Sequence, residues 1–449
     1  MAEHNTEFGG KTLEDIHEKQ MDFLRLVLQN QNDNYYLKGC AGSGKTFIAA
    51  LALGMISDKR SAVLLVYTKM LKNFIRDNLN DDTLHTTHYH RWLQHPEYYD
   101  TIIIDECQDF RGGWINKVRS YSGSQIWLGD INQQIYSESE KDGGFETLIY
   151  NSENIVNQEF VVNYRNSIST ANFAKLFMRL TDDEKELGIK LEEKREAFIK
   201  PILNNPKQTS GARNQPVLLI DCEDENAEYD CIAAIIKSIR DSKEDSKQIV
   251  IAQLHHDDLT DIGDALTERN IDYKRLPRGP EKEAVLDTIN FKEDKDLVLL
   301  STIHSLKGVE IDYIIFPRTE DYNIDFFGSD EINSNLLYTL FTRPKTRAFC
   351  SFTDKDRSVV YNQVYDIIDE LDDIEKSFFT LVTSDEYLSG TEVKQSGSET
   401  YEDEGGPEQS GGVTEQSTDD IEDQITKYFK KLGGEADDTE DDDEPDLIF

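Results

Sequence analysis

Two short runs hold the residue types best suited to chemistry. Gly39-Cys40-Ala41-Gly42-Ser43-Gly44-Lys45-Thr46 follows an apolar, strand-like run and leads into FIAALALGMI. Glycines in such a loop let backbone N–H groups close around phosphate oxygens at the positive end of the following helix. Lys45 adds a point charge and the Thr46 hydroxyl a magnesium ligand, so Gly39, Gly42, Ser43, Gly44, Lys45 and Thr46 form a candidate phosphate site. Sixty residues beyond Lys45, YDTIIIDECQDF sets Asp105 and Glu106 at the end of an apolar strand. Asp105 suits a metal held through water. Glu106 suits orientation or deprotonation of an attacking water, the division of labour that phosphoryl transfer needs.

The elements that must position these groups read as alternating strands and helices. Apolar, β-rich runs occur at 35–40, 62–68, 101–106, 125–130 and 159–162, then at 216–222, 249–254, 297–304, 312–317 and 347–353. Helical stretches separate them, the pattern of parallel α/β sheets. Two sheets are expected, with helix over 166–205 between them, ending near the Pro201 to Pro206 turns, and a last helix at about 358–380.

Further runs appear in a fixed order: GDINQQIY (129–136), VVNYR (161–165), STIHSLKGVEID (301–312) and LLYTLFTRPKT (336–346). With the phosphate loop and the Asp105-Glu106 pair, they resemble the motifs of superfamily 1 DNA helicases of the UvrD/Rep type, in family order from about Gln20 to Arg343. The resemblance implies two RecA-like P-loop domains with the ATP site between them. It also implies ATP and Mg2+ as cofactors, with Thr46 and Asp105 as metal ligands. Gln20 matches the position that reads adenine, Tyr164 the aromatic that stacks on it, Gln133 the γ-phosphate sensor and Glu310 a ribose contact. Gly308 falls in the same nucleotide-site element as Glu310. Arg165 and Arg343 match the arginines that stabilise charge on the transferred phosphoryl group. Lys45, Asp105, Glu106, Gln133, Arg165 and Arg343 are thus the implied catalytic set. The domains expected are 1–160, 161–384 and a tail, 385–449.

Departures from that pattern define a stripped-down form. The sixty residues from Lys45 to Asp105 leave no room for the family's first large insertion, and the stretch from Arg165 to Thr302 leaves room for at most a small second one. Phe47 stands where the family has a basic residue flanking adenine, and Ser137 and Glu138 replace a tryptophan that stacks on DNA. The strand-separating hairpin expected after RAFCSFT is missing or very short. ATPase and translocase activity therefore follow more directly than duplex unwinding. The expected track is single-stranded or partly duplex DNA, travelled 3′ to 5′ by family analogy and contacted by Tyr67, His88, Tyr89, Trp92, Thr302 and His304, with Lys69 and Lys72 adding positive charge. For Tyr67 and Trp92, core packing is the competing reading.

Composition pulls the other way. The chain has 449 residues, 48 basic against 88 acidic, a net charge of −40, and a polyanion partner normally demands the opposite balance. The excess is uneven: residues 384–449 hold 22 Asp/Glu and 4 Lys/Arg. That segment has too few apolar residues to offset its ordering entropy and reads as disordered. Within it, Ile421, Ile425, Tyr428, Phe429 and Leu432 fall on one face of an amphipathic helix at 419–432. Glu422, Ile425, Tyr428 and Phe429 resemble a sliding-clamp peptide, and the DDDEPDLIF end resembles the acidic tips of replication proteins. Clamp or other partner binding through either, or competition of the polyanion with DNA for its groove, are the expectations for the tail. A nucleotide-switched recruitment protein without productive unwinding is the alternative to the motor.

Five scattered cysteines without a CxxC pair disfavour a disulfide framework or structural zinc, and the histidines lack metal spacing. Cys40 and Cys107 flank the chemistry, either as thiols whose alkylation impairs hydrolysis or, the favoured reading, as small buried fillers. No apolar run spans a membrane and no apolar signal core opens the chain, so a cytoplasmic protein is expected.

Overall fold

The computed structural model describes residues 16–79, 85–135, 155–180, 215–243, 246–279, 281–321 and 330–390, apart from 292, 370 and 372, with short pieces between 185 and 201. The expected helix at 419–432, the DLIF end, Ser137 and Glu138 lie outside the described residues.

Strands β1 (Asn34–Gly39), β2 (Ala62–Val66), β3 (Thr86–His88), β4 (Tyr99–Ile104), β5 (Ser122–Gly129) and β6 (Ile155–Phe160) form one parallel sheet, ordered β3-β2-β4-β5-β1-β6. A two-residue pair, β7 (Val162–Asn163) and β8 (Lys200–Pro201), follows. The second sheet contains β9 (Val217–Asp221), β10 (Ile249–Gln253), β11 (Lys274–Arg275), β12 (Val298–Thr302), β13 (Ile311–Phe316), β14 (Pro344–Phe352) and β15 (Phe379–Thr383). Its order is β11-β12-β10-β13-β14-β9-β15, again parallel throughout. Crossover helices cover both faces of such sheets, so central strands lose alternation and read as continuous apolar runs. AVLLV in β2, IVIAQ in β10 and IDYIIF in β13 are buried at every position. The architecture is two RecA-like α/β domains.

The helix Lys45–Ser57 is apolar almost all round because it is wedged between the first sheet and the helix Glu18–Gln29. At its start, β1 lies between β5 and β6, while the next strand in the chain, β2, lies beyond β5 and β4. That reversal opens a crevice at the strands' carboxyl ends, where ligands bind in open α/β sheets.

Two readings from sequence need correction. Residues 166–205 are not one helix: Ile168–Lys175 and Leu191–Phe198 are helical and β8 follows. Phe173 in the first helix and Phe177 just beyond it pack onto Phe341 at the end of the helix Asp330–Phe341, ring centroids 5.0 Å apart in both cases, which fastens this connector to the second domain. The helix expected to run to 380 stops at Tyr365, and FTLVT instead forms edge strand β15 alongside β9. Five residues are too few for periodicity to separate strand from helix, and the partner strand decides.

Candidate active site and adjoining groove

The phosphate loop leaves β1 at Gly39 and enters its helix through Gly44, whose φ of 85° is left-handed backbone that glycine adopts without strain. Lys45 Nζ donates to the carbonyls of Gly39 (2.6 Å) and Cys40 (3.0 Å), which holds the ammonium inside the loop. Gln20 is buried beside it, its Nε2 donating to Ser43 O at 2.8 Å and its Oε1 accepting from His17 N at 3.0 Å. The Tyr164 N–H donates to Gly42 O (2.9 Å), and its ring stands 5.7 Å from that of His17. Gln20 and Tyr164, 144 positions apart in the chain, are thus both fastened to the loop.

Asp105 and Glu106 follow β4 directly. Thr46 Oγ1 donates to Asp105 Oδ2 at 2.5 Å, bringing together two hard oxygen donors of the kind magnesium prefers. Among the described residues no three His, Cys, Asp or Glu side chains cluster as a metal cage. The pair therefore fits an ion that takes its other ligands from phosphate and water. Burial and the neighbouring Glu106 charge push the Asp105 carboxyl up to about 6, against the opposing pull of Thr46 and Lys45. Burial also pushes Glu106 up, but Lys307, Arg343 and Lys45 outweigh it and hold this carboxyl below its ordinary range. Glu106 has a left-handed φ of 58° and accepts from Gln108 Nε2 at 2.7 Å.

Lys307 of the second domain is fully buried against the first. Its Nζ binds the Asp109 carboxylate, donates to Gln133 O at 2.7 Å and lies 3.7 Å from Glu106 Oε2. Burial holds the Asp109 carboxyl up at about 6 even with Lys307 opposing. Gly308, with φ of 82°, lets this segment approach the first domain so closely that an added Cβ would lie 2.5 Å from Leu71 Cδ2. Sequence reasoning overlooked Lys307 and Asp109, although both stand inside the motif runs quoted above. The lysine inside the STIHSLKGVEID run and the second aspartate of the DECQD run were the available signals.

Both arginines reach the same place. Arg165 donates through Nη1 to Thr342 O (3.0 Å) and through Nη2 to Glu310 Oε1 (2.9 Å). Arg343 is 2% exposed, with Nε donating to Thr339 O at 3.0 Å, and burial followed by the nearby Arg165 charge lowers its value to about 10. Gln133 Nε2 donates to Thr342 Oγ1 at 3.2 Å. A cleft of about 560 Å³ is lined by Gly42, Ser43, Gly44, Lys45, Thr46, Glu106 and Gln133 from the first domain and by Arg165, Gly308, Glu310 and Arg343 from segments packed on the second. Phe47 and Phe74 form an apolar wall of the same cleft.

A second opening, about 850 Å³, lies where the carboxyl ends of β2, β3 and β12 meet. It is lined by Tyr67, Thr68, Lys69, His88 and Tyr89 on one side and Gly279, Lys282, His304 and Ser305 on the other. Tyr67 is buried in the core beneath Tyr89, the two rings stacked at 4.6 Å with an interplanar angle of 11°, so core packing describes most of its side chain. Burial, then neighbouring cations, lowers both His88 and His304 to about 4, so the imidazoles are neutral near pH 7. Lys282 Nζ donates to Ser305 Oγ at 2.6 Å, and no sequence signal marked it. Two residues expected here lie elsewhere. Trp92 is 4% exposed and turned into the core against Tyr121, its ring too large to leave in water while an apolar pocket is at hand. Thr302 is buried at the end of β12, its hydroxyl paired with that of Ser305 at 2.9 Å.

Cys40 and Cys107 are both buried, and burial pushes the Cys40 thiol up to about 12 and the Cys107 thiol well above its ordinary value. Both therefore sit as small buried fillers of the loop and strand, the favoured reading. No helix among the described residues is long and apolar enough to cross a membrane.

Residues 35–214 match the family described as the viral superfamily 1 RNA helicase core domain, somewhat under half of the chain. No curated protein matches. Among solved structures, Dbp5 of S. cerevisiae bound to RNA and ADP BeF3 is 12% identical, with 84% of this chain and 92% of that one covered and a TM-score of 0.48. Arterivirus nonstructural protein 10, a helicase solved with DNA, is 12% identical over 75% of this chain and 62% of that one, TM-score 0.37. The PRRSV helicase is 12% identical over 73% and 54%, TM-score 0.36.

Proposed function

We propose that a superfamily 1 helicase core of UvrD/Rep type, beginning in the matched segment and completed by the second sheet, drives this chain 3′ to 5′ along single-stranded DNA by hydrolysing ATP in the cytoplasm. One observation carries the reading: the phosphate loop, Glu106 and Gln133 share a cleft with Arg343 and Glu310 of the other domain. A site completed across a domain interface ties each hydrolysis to opening and closing of that interface.

In this reading the loop N–H groups and Lys45 hold the phosphates, while Gln20, Phe47 and Tyr164 flank the base. Thr46 and Asp105 would hold magnesium, which when bound neutralises phosphate charge. Glu106 takes the proton from water as its oxygen attacks the γ-phosphorus and the bond to ADP breaks. Gln133 orients that water, and Arg165 and Arg343 spread the charge of the transferred group, a role worth roughly 10³–10⁵ in rate. The single strand lies in the groove between Lys69 and Lys282, its bases against Tyr89, with Tyr67 backing that ring from the core. The groove's positive charge supports a nucleic-acid track in a chain of net charge −40.

The test is steady-state hydrolysis with and without dT20 or U20, using the parent and the Glu106→Gln variant, beside a strand-displacement assay. Stimulation by dT20, lost in Glu106→Gln, is expected. Preference for U20 would transfer the motor to RNA, the nucleic acid named in the matched family's description. Stimulation by neither would refute the motor and leave the recruitment reading.

A further inference from the structure

The groove combines cations, Lys69 and Lys282, with a stacked aromatic pair, so a fitting occupant carries several anions and an aromatic ring along one strand. The chain carries such a strand itself. EADDTEDDDEPDLIF, residues 435–449, has nine carboxylate side chains, no basic residue and Phe449. We propose that residues 435–449 occupy the groove of their own molecule, carboxylates toward Lys69 and Lys282 and Phe449 beside Tyr89, so that nucleic acid must displace them. This regulation rests on reading the groove as the nucleic-acid track.

Geometry permits it. Every strand of the second sheet is parallel, so the turn after β12 that lines the groove and the segment after β15 that leads to the tail emerge at the same edge. Five strand spacings separate β12 from β15, about 24 Å. The helix Ser384–Leu388 shifts the departure point by at most about 8 Å. From Gly390 to Asp441 the chain has about 50 residues, and Gly/Ser-type linkers of that length have a root-mean-square span of roughly 39 Å. The reach matches the gap, where effective concentration is highest, of the order of 1 mM. The other candidate, 419–432, carries Lys427, Lys430 and Lys431, which like-charged groove residues disfavour.

A tail affinity of only ~0.1 mM at an effective ~1 mM weakens nucleic-acid binding about tenfold. The experiment uses the full chain with Asp441→Asn, Asp442→Asn, Asp443→Asn and Glu444→Gln together. A control with equal charge removed nearer the body carries Glu399→Gln, Glu402→Gln, Asp403→Asn and Glu404→Gln. Fluorescence anisotropy with labelled dT20 and U20 should show about tenfold tighter binding for the first variant alone at 25 mM salt, the gap narrowing at 200 mM. Equal gains in both variants, or none in either, overturn the proposal. Carbodiimide crosslinking of the parent, read by mass spectrometry, provides a readout without nucleic acid. Links from 435–446 to Lys69 or Lys282 support the contact, and links spread evenly over other lysines refute it. Should no variant bind either oligonucleotide while those links form, the tail contact stands and the nucleic-acid reading falls.

Discussion

Replacing Lys307 by Met removes one buried cation and keeps most of the side-chain volume. Asp109, with no exposed side-chain surface, then loses its cation and keeps only the Ile135 N–H, 3.2 Å from Oδ1, while Glu106 loses the cation that most favours its charged form. Breaking a buried ion pair from one side costs about 3–5 kcal/mol, because the remaining charge has neither water nor an opposite charge. At roughly 2–4 °C per kcal/mol for domains of this size, Lys307→Met should melt roughly 6–20 °C below the parent. Adding Asp109→Asn removes the orphaned charge and should recover most of that loss. Turnover should not recover with it. Glu106, 3.7 Å from Lys307 Nζ in the parent, stays without its cation in the double variant, so kcat should remain about 10²-fold down, the lower range for a misplaced general base. Thermal melts and steady-state ATPase on the parent, both single variants and the double variant form the cycle. A Lys307→Met protein melting within about 2 °C of the parent, or a double variant with parental kcat, would refute the reasoning.

Arg343→Ala should lower kcat by roughly 10³-fold or more while fluorescent-nucleotide binding changes little, if the proposed transition-state role holds; an equal loss of both would assign it to ground-state binding. In the proposed mechanism Asp105 must be ionised to hold magnesium, and with its carboxyl at about 6, Mg2+-dependent nucleotide binding should weaken as pH falls through about 6. The Glu106 charge is one cause of that elevation, so Glu106→Gln should move the midpoint to lower pH; an upward move contradicts the coupling. Iodoacetamide should leave the native ATPase intact and label Cys40 and Cys107 only after denaturation, so rapid labelling of the folded protein would show that the loop opens.

Much of the candidate site was legible in sequence because its groups sit in contiguous motifs. The eight-residue loop needs only its own glycines and the helix that follows, and it lies where the strand pattern sets it. The groove was harder to read. His88 and Tyr89 line it while Trp92, three residues further along the same short helix, points into the core. Residue type cannot separate these, since an aromatic ring suits a base and a core equally well. Lys282 was invisible because its place depends on how the segment before β12 folds back toward Ser305, 23 residues away. Strand β15 was missed for the same kind of reason, its conformation being set by pairing with β9 from far upstream.

Sequence alone determined the phosphate loop, the acidic pair after β4 and the alternating α/β pattern, because backbone conformation and short-range spacing specify each of them locally. Tertiary structure decided which charges meet: Lys307 with Asp109 across 198 positions, Arg165 with Glu310 across 145, and both arginines with the loop in one cleft. The physical reason is that an ion's effect depends on burial and on partners within a few ångströms, and neither is encoded by distance along the chain.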